Sequence, residues 1–204
     1  MVNEGIPFVS IPAVIAAIFG LFQLWPAAVA FALLAIFMLY FFRDPHREVP
    51  QAEGLIVSAA DGRVTRIESR ENQKFISVFL SPLDVHINRS PITGSITKIS
   101  YIKGKKMPAT SENASLVNER NSLLIEGEDL TVTCTQIAGI LARRIVCWPK
   151  VGDKLERGQR FGLIKFGSRT DILMPANFEI LVKVGDRVLG GETVIARKIK
   201  IGEQ

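Results

Sequence analysis

The fold is decided by two similar stretches, Val151-Gly152-Asp153-Lys154-Leu155, followed by Gly158, and Val184-Gly185-Asp186-Arg187-Val188, followed by Gly191. The later glycine stands at the same offset from the Gly-Asp pair in both copies. In each copy a Gly-Asp pair predicts a turn, and an apolar strand residue follows it. The later glycine allows a positive φ at the next turn. A turn repeated in this way indicates an internal duplication of a small β unit.

A second self-similarity supports the duplication. Asp61-Gly62-Arg63-Val64-Thr65-Arg66-Ile67 is similar to Thr93-Gly94-Ser95-Ile96-Thr97-Lys98-Ile99, and its spacing nearly equals that of the repeated turns. Runs such as Phe75–Leu80 and Leu130–Cys134 are apolar or β-branched and predict strands. Apart from one or two turns around Asn113–Glu119, residues 50–204 show no sustained helical periodicity. We therefore predict a mainly β domain.

The repeated turns resemble those of lipoyl-type β sandwiches and their barrel-sandwich relatives. In lipoyl and biotinyl domains a modified lysine lies at a hairpin tip between such halves. Here the tip reads Phe166-Gly167-Ser168-Arg169-Thr170-Asp171, with Lys165 before it and no lysine in the expected place. A duplicated, barrel-sandwich or lipoyl-like fold is therefore expected, whereas a carrier role is disfavoured.

The N-terminal part of the sequence is apolar over more residues than one membrane helix needs. Residues 6–42 contain no Asp, Glu, Lys, Arg or His, whereas about 20 residues cross the hydrocarbon core. Gln23-Leu24-Trp25-Pro26 interrupts the run, and proline cannot continue a helix without losing a hydrogen bond. We therefore predict that residues 1–42 form a hydrophobic helical hairpin that anchors the chain by crossing the bilayer or dipping into it.

The charge distribution predicts where the rest of the chain lies. All 25 Lys and Arg and 19 of the 20 acidic residues follow the apolar run, so residues 43–204 carry a net charge of +6. Arg43 and Arg47 come soon after the run, and positive residues beside a span stay in the cytoplasm. We expect a cell-membrane protein with its polar domain, 43–204, at the cytoplasmic face. The alternative is a buried helical hairpin in a soluble oligomer.

Composition excludes several other classes of protein. The apolar run is not repeated downstream, which excludes a polytopic channel. Two cysteines allow at most one bridge, so a disulfide scaffold is excluded and a reducing compartment fits. Cys134 and Cys147 are predicted to be small core residues. The sequence has no Cys/His spacing typical of a metal site.

Few residues can supply acid–base or nucleophilic chemistry. The sequence has two histidines, His46 in a proline-marked turn and His86 after an apolar strand, and histidine is the usual base at neutral pH. Asp61 precedes a glycine and is compatible with a simple turn residue. Ser168 follows Gly167, a common loop dipeptide. Each of these residues, taken alone, is also compatible with a structural role.

Taken in order, the motifs are more specific. They are an apolar anchor, Phe42-Arg43-Asp44-Pro45, Ser58-Ala59-Ala60-Asp61-Gly62, Leu80-Ser81-Pro82-Leu83-Asp84-Val85-His86, and Phe166-Gly167-Ser168-Arg169. This order resembles the short class of phosphatidylserine decarboxylase proenzymes, and the resemblance runs from Phe41 to about Gly191.

The resemblance implies that Ser168 becomes the cofactor. Its Oγ would attack the carbonyl of Gly167, and the N→O acyl shift would give an ester. β-Elimination would then cut the chain and leave a dehydroalanine, which hydrolyses to an N-terminal pyruvoyl group and ammonia. His86 would act as the base and Asp61 would orient it, as in a Ser-His-Asp triad.

The resemblance also implies the turnover. The pyruvoyl group on Ser168 would form a Schiff base with the amine of phosphatidylserine and accept the electrons released with CO₂. His86 would return a proton, giving phosphatidylethanolamine, with no pyridoxal phosphate and no metal. The implied partners are phosphatidylserine and membrane lipid, and the protein's own β chain, 1–167, bound to its α chain, 168–204. A larger oligomer is left open, and no nucleic acid is expected.

One position departs from the longer members of the family. They carry a second histidine three residues after the first, whereas this sequence has Arg89 there, which cannot act as a neutral base. Either His86 does all the proton transfer or Arg89 binds the substrate carboxylate.

Two other functions are compatible with parts of the sequence. A non-enzymatic, membrane-anchored lipoyl-like adaptor explains the duplication and the anchor, but it leaves Phe166–Arg169 and His86 without a role. A membrane serine hydrolase would use Ser168 with His86, but the sequence lacks the G-x-S-x-G elbow of such enzymes.

Overall fold

Two units, Met1–His46 and Arg47–Gln204, make up the chain in the computed structural model. The structure describes residues 1–69, 71–104, 107, 117–139, 144–165 and 168–199. The anchoring role of residues 1–42 and the division into chains 1–167 and 168–204 stay predictions.

The first unit is a hairpin of two apolar helices, as the sequence predicted. A short 3-10 helix, Asn3–Gly5, leads into α1, Ile6–Leu21, and α2 covers Trp25–Phe41. Gln23 lies between α1 and α2 with a φ of 58°, and the chain reverses there. Pro26 lies in the first turn of α2, where its missing N–H breaks no helical hydrogen bond.

The two helices run antiparallel and have little polar surface. The ring of Phe8, near the start of α1, lies 5.3 Å from that of Phe42, just after α2. By length and composition the 19-residue segment Asn3–Leu21 could cross a membrane, whereas α2 has 17 residues. A helix that is apolar all round is buried in protein or in lipid, but such helices alone are weak evidence for a membrane.

The second unit is built of strands, which confirms the prediction of a mainly β protein. Its described strands are β1 (Leu55–Val57), β2 (Gly62–Ser69), β3 (Gln73–Leu80), β4 (Ile87–Arg89), β5 (Gly94–Ile102), β6 (Arg120–Glu126), β7 (Thr131–Ala138), β8 (Arg144–Cys147), β9 (Lys154–Leu155), β10 (Arg160–Lys165), β11 (Ser168–Pro175), β12 (Phe178–Ile180), β13 (Arg187–Val188) and β14 (Val194–Lys198). An eight-stranded sheet has the order β13-β2-β3-β11-β7-β6-β5-β9, and two three-stranded sheets have the orders β1-β14-β12 and β4-β10-β8.

The duplication in the sequence recurs in the hydrogen bonds. Each repeated turn donates the same backbone N–H groups to the same positions of its own half. The matching pairs are Gly152 to Ile96 and Gly185 to Val64, and Gly158 to Ser90 and Gly191 to Ser58. Gly158 and Gly191 have φ values of 78° and 80°, which glycine tolerates best. The two halves therefore close their turns in the same way.

A buried apolar core joins the three sheets. Its members include Ile56 of β1, Phe161 of β10 and Ile172 of β11. Burial of each such side chain contributes about 1.5–3 kcal/mol. Cys134 belongs to this core and Cys147 packs against it, and both are free thiols. Burial raises the pKa of the Cys134 thiol, so this residue stays protonated and serves as a core residue, as predicted.

Candidate active site

Ser168 begins β11, a central strand of the eight-stranded sheet. Its side chain is 0% exposed, and its Oγ has no hydrogen-bond partner among the residues that the structure describes. An unpaired buried polar group costs about 1–3 kcal/mol, so most are paired. Gly167, the other half of the predicted cleavage site, lies outside the described residues, as does Phe166.

The strand that carries Ser168 is held on both sides. Ser168 pairs with Leu80 at the end of β3 and with Ala138 at the end of β7. The pairing with β3 continues to Pro175. This pairing does not need residue 167, so it would still hold the strand if the bond before Ser168 were cut.

A chain of buried side-chain hydrogen bonds lies on the Ser168 side of β11. Residues i and i+2 of a strand share a face, so Thr170 lies on the same face as Ser168. Asn88 Nδ2 donates to Thr170 Oγ1 at 2.9 Å, and Gln136 Nε2 donates to Asn88 Oδ1 at 2.9 Å. Asn121 Nδ2 donates to Gln136 Oε1 at 3.1 Å. These bonds fix a polar wall near the serine.

The opposite face of β11 holds a buried ion pair. Arg169 Nε lies 3.0 Å from Asp171 Oδ1, and an Arg169 terminal nitrogen donates to Oδ2 at 3.1 Å. Ser77 Oγ also donates to Asp171 Oδ1, at 2.7 Å. Hydrogen bonds between arginine and a carboxylate are short and strong, so this buried pair stiffens the strand directly after Ser168.

His86 lies in the segment that follows β3 and is 2% exposed. That segment leaves the sheet at Leu80, the strand partner of Ser168. Ile164 of β10, four residues before Ser168, donates its N–H to the His86 carbonyl at 3.1 Å. The histidine backbone is therefore tied both to the partner of Ser168 and to the strand that leads into Ser168.

The histidine ring and its neighbour Asp84 are fixed by short contacts. His86 Nδ1 lies 2.9 Å from the Asp84 carbonyl oxygen. The Asp84 carboxylate accepts hydrogen bonds from Ser81 N at 2.8 Å, Ser81 Oγ at 2.7 Å and Arg187 at 2.6 Å. The segment Ser81–His86 is thus held in one conformation.

Asp61 lies just before β2, and each of its carboxylate oxygens is engaged. Oδ2 accepts from Arg47 at 2.6 Å, and Oδ1 accepts from the N–H of Gly190 at 2.8 Å. Burial raises the pKa of Asp61, while Gly190 and Arg47 act to lower it. A direct Asp61–His86 hydrogen bond is not among the contacts described for these residues, so the predicted orienting role stays a prediction.

Arg89 lies on β4 directly after Asn88. Alternation along the strand turns its side chain away from the Thr170 side, where Asn88 points. Its guanidinium donates to the carbonyl of Gly158 at 3.0 Å. This contact is with the backbone of a repeated turn, and carboxylate binding by Arg89 stays a prediction.

Sequence reasoning assigned no role in the site to four residues of this region: Asp84, Arg187, Arg47 and Gln136. Asp84 could have been found, because a carboxylate two residues before a candidate base is a recognisable signal. Arg187 is distant from Asp84 in the sequence, and only the fold brings them together. Within the described ranges, no group of three or more His, Cys, Asp or Glu residues could hold a metal ion.

The fold and site define a class of mainly β proteins in which the candidate serine, Ser168, lies inside the sheet rather than at an exposed turn. The family model for phosphatidylserine decarboxylase matches residues 34–196. A phosphatidylserine decarboxylase proenzyme of Symbiobacterium thermophilum is 48% identical over 203 residues, covering 96% of this chain and 94% of the relative. Proenzymes of the same description from Geotalea uraniireducens (41% identical; 94% of this chain, 93% of the relative) and Burkholderia ambifaria (42%; 95% and 94%) also match.

The chain therefore belongs to the phosphatidylserine decarboxylase family. The resemblance found in the sequence is confirmed, and the adaptor interpretation is not favoured.

Proposed function

We propose that this protein is a self-processing, pyruvoyl-dependent decarboxylase that converts phosphatidylserine to phosphatidylethanolamine and CO₂ in phospholipid biosynthesis. The observation that carries the proposal is the Ser168 hydroxyl, which is buried and without a partner in the described part of the chain. Family membership supports self-processing, because relatives of nearly full coverage are proenzymes, and Ser168 is the residue we propose for it.

Self-cleavage begins when Ser168 Oγ attacks the carbonyl carbon of Gly167. The new C–O bond replaces the C–N bond of the peptide, and the proton of the hydroxyl is transferred to the freed nitrogen by way of a base. β-Elimination then removes the Cα proton and breaks the Cβ–Oγ bond. Chain 1–167 leaves with a C-terminal carboxylate, and hydrolysis of the remaining enamine releases ammonia. Chain 168–204 then begins with a ketone.

His86 is the proposed base for these proton transfers. A carbonyl oxygen can only accept, so the contact with Asp84 places the proton on Nδ1 and leaves the lone pair on Nε2. The position of His86 beside the strand that leads into Ser168 supports this role. Asp61 is the third residue proposed for self-cleavage, after Ser168 and His86, and it acts on His86 through its negative charge.

The residues around Ser168 fit a small covalent group. The strand pairing with Leu80 and Ala138 holds the position on both sides, and the polar wall that includes Thr170 and Asn88 lies on the same face. Once formed, the pyruvoyl group supplies a carbonyl that takes up an amine and an electron sink for the pair left by departing CO₂. No pyridoxal phosphate or metal enters the proposed chemistry.

Burial of the site supports decarboxylation of a charged headgroup. Ser168 is shielded from bulk water, so electrostatic contacts there are stronger than in solution. His86 is the proposed donor of the proton that replaces CO₂ on the product. Arg89 stays the candidate from the sequence for the substrate carboxylate, and this role requires its side chain to leave Gly158 and turn toward the Ser168 face of the sheet.

The hairpin supports a membrane location. A diacyl lipid leaves the bilayer only at a cost of about 0.8 kcal/mol per exposed CH₂, so an enzyme tethered to the surface needs to lift only the headgroup. We propose that residues 1–42 anchor the chain and that domain 43–204 acts at the cytoplasmic face. The proposed assembly is the β chain with its α chain.

The test is an activity assay on vesicles of phosphatidylserine in phosphatidylcholine. The wild-type chain should produce phosphatidylethanolamine, and Ser168→Ala should produce none and stay uncut. Ser77→Ala is a matched control, because it removes a buried hydroxyl on the neighbouring strand that faces the opposite side. Product formation by a folded Ser168→Ala chain would overturn the proposal.

A further inference from the structure

Asp61 and Thr93 occupy equivalent positions in the two repeats. Gly190 donates its N–H to Asp61 Oδ1 at 2.8 Å. Arg157, which directly precedes Gly158 as Gly190 directly precedes Gly191, donates its N–H to Thr93 Oγ1 at 3.1 Å. The repeat thus requires a hydrogen-bond acceptor at this position, and a neutral threonine supplies it in one copy. The negative charge of Asp61 is therefore not needed to close the turn.

The charge of Asp61 has a buried ion-pair partner. Arg47 lies 2.6 Å from Asp61 Oδ2, and the two side chains are 6% and 9% exposed. Arg47 also lies 3.4 Å from Glu192, whose side chain is 35% exposed. A buried carboxylate loses several kcal/mol of hydration, so an arginine at this distance favours its ionised form.

The other groups near Asp61 shift its pKa in both directions. Burial raises its pKa most, and the nearby carboxylate of Asp84 raises it further. The N–H of Gly190 and the guanidinium of Arg47 lower it. Without Arg47, Asp61 would be one of two neighbouring carboxyl groups with little solvent, an arrangement that favours protonation of one of them.

We propose that Arg47 is a positioning residue for self-cleavage: it keeps Asp61 ionised next to Asp84, whose carbonyl orients His86. A charged Asp61 stabilises the imidazolium that forms when His86 takes the proton of Ser168. This inference rests on the proposed function, since it assigns Arg47 a role in the same cleavage.

The test follows cleavage of the full chain against pH. The chain and its variants are made by cell-free synthesis with phosphatidylcholine vesicles and moved into buffers from about pH 6 to pH 9. The rate at which the small chain appears is then measured on gels. Arg197→Met is the matched control, because Arg197 pairs with Glu179 at 2.7 Å but both side chains are about half exposed.

Arg47→Met should be cut at least about tenfold more slowly near neutral pH, and the acid limb of its profile should move up by about one pH unit or more. Arg47→Lys keeps the charge, so it should be cut with an acid limb close to that of the wild-type chain. Arg197→Met should match the wild type. Asp61→Thr, which keeps an acceptor for Gly190, should fold and stay uncut.

The inference is overturned if Arg47→Met and Arg47→Lys slow cleavage equally at every pH, since that outcome indicates a purely structural contact. Should Arg47→Met fail to fold, judged by circular dichroism, Arg47→Lys decides alone. Cleavage of the Arg47→Lys chain with the same acid limb in its pH profile as the wild type supports the inference. A folded Arg47→Lys chain that is never cut contradicts it. A wild-type chain that is never cut would instead defeat the proposed function.

Discussion

His86 Nδ1 and the carbonyl oxygen of Asp84 lie 2.9 Å apart, and this contact decides which ring nitrogen can take a proton. The carbonyl accepts from Nδ1, so Nε2 is the basic atom. In many triads a carboxylate that contacts the histidine determines which ring nitrogen carries the proton. In this protein a backbone carbonyl contacts Nδ1, on a segment that the Asp84 side chain holds in place.

The role of His86 as the base is tested by a substitution that removes the imidazole ring but keeps a hydrogen-bond donor. His86→Asn can still donate to the Asp84 carbonyl but has no basic nitrogen, so self-cleavage should slow by about 10²-fold or more. Gel analysis of freshly made chain measures the cut fraction. His46→Asn is the matched control, because His46 is the exposed histidine of the sequence and should be cut normally. Equal cleavage of the two variants would rule out His86 as the base.

The two contacts of Asp84 should differ in their contribution to stability. Arg187→Met removes an ion pair whose arginine side chain is 70% exposed, and such pairs contribute about 0.2–1 kcal/mol. Asp84→Ala also leaves the Ser81 N–H without its acceptor, which costs about 1–3 kcal/mol more. Urea unfolding of both variants in an uncut Ser168→Ala chain, held in detergent, gives the comparison. A larger loss from Arg187→Met would contradict the assignment.

The stability of the protein should depend on the buried hydrogen bonds between amide side chains near Ser168. Gln136→Met removes the partner of Asn88 Oδ1 and of Asn121 Nδ2, so the free energy of unfolding should fall by about 1–3 kcal/mol or more. Ser122→Ala is the control, since the Ser122–Thr135 contact is only partly buried and its loss should cost less. Thermal unfolding of uncut chains measures both. Equal stability of Gln136→Met and the parent would show that these amides are not paired as described.

The raised pKa of Asp61 predicts a pH-dependent stability. A carboxyl group whose pKa is higher folded than unfolded binds its proton more tightly in the folded chain, so its stabilising effect is present at low pH. That effect is lost as the pH rises through the folded pKa. Relative to Asp61→Asn, the Asp61 chain should therefore become less stable as the pH rises from about 4. Urea unfolding of both uncut chains at several pH values measures the difference, and a difference that changes in the opposite direction would show that the pKa is lowered.

Much of the fold was predictable because it depends on local signals. The Gly-Asp turns and the later positive-φ glycines fix where strands begin and end, and the duplication follows from their spacing. The helical hairpin followed from a long uncharged run with one interruption. The order of strands in the eight-stranded sheet was not predictable, since β11 pairs with β3 and β7 across long stretches of chain.

The site was predictable only in part, for the same reason. Ser168, His86 and Asp61 came from motif order, which carries no geometry. The structure adds the contact of Asp61 with Arg47 and that of His86 with the Asp84 carbonyl, whereas the orienting role of Asp61 stays a prediction. Contacts such as Arg187 to Asp84 depend on strand pairing between distant segments, and no local pattern marks them.

The central claim, that the chain cuts itself at Ser168, is tested most directly by the intact mass of protein purified fresh from cells. Two chains are expected, 1–167 and 168–204, with the smaller lighter than its sequence by the mass of ammonia. A single full-length mass, or a small chain that retains an N-terminal serine, would contradict it.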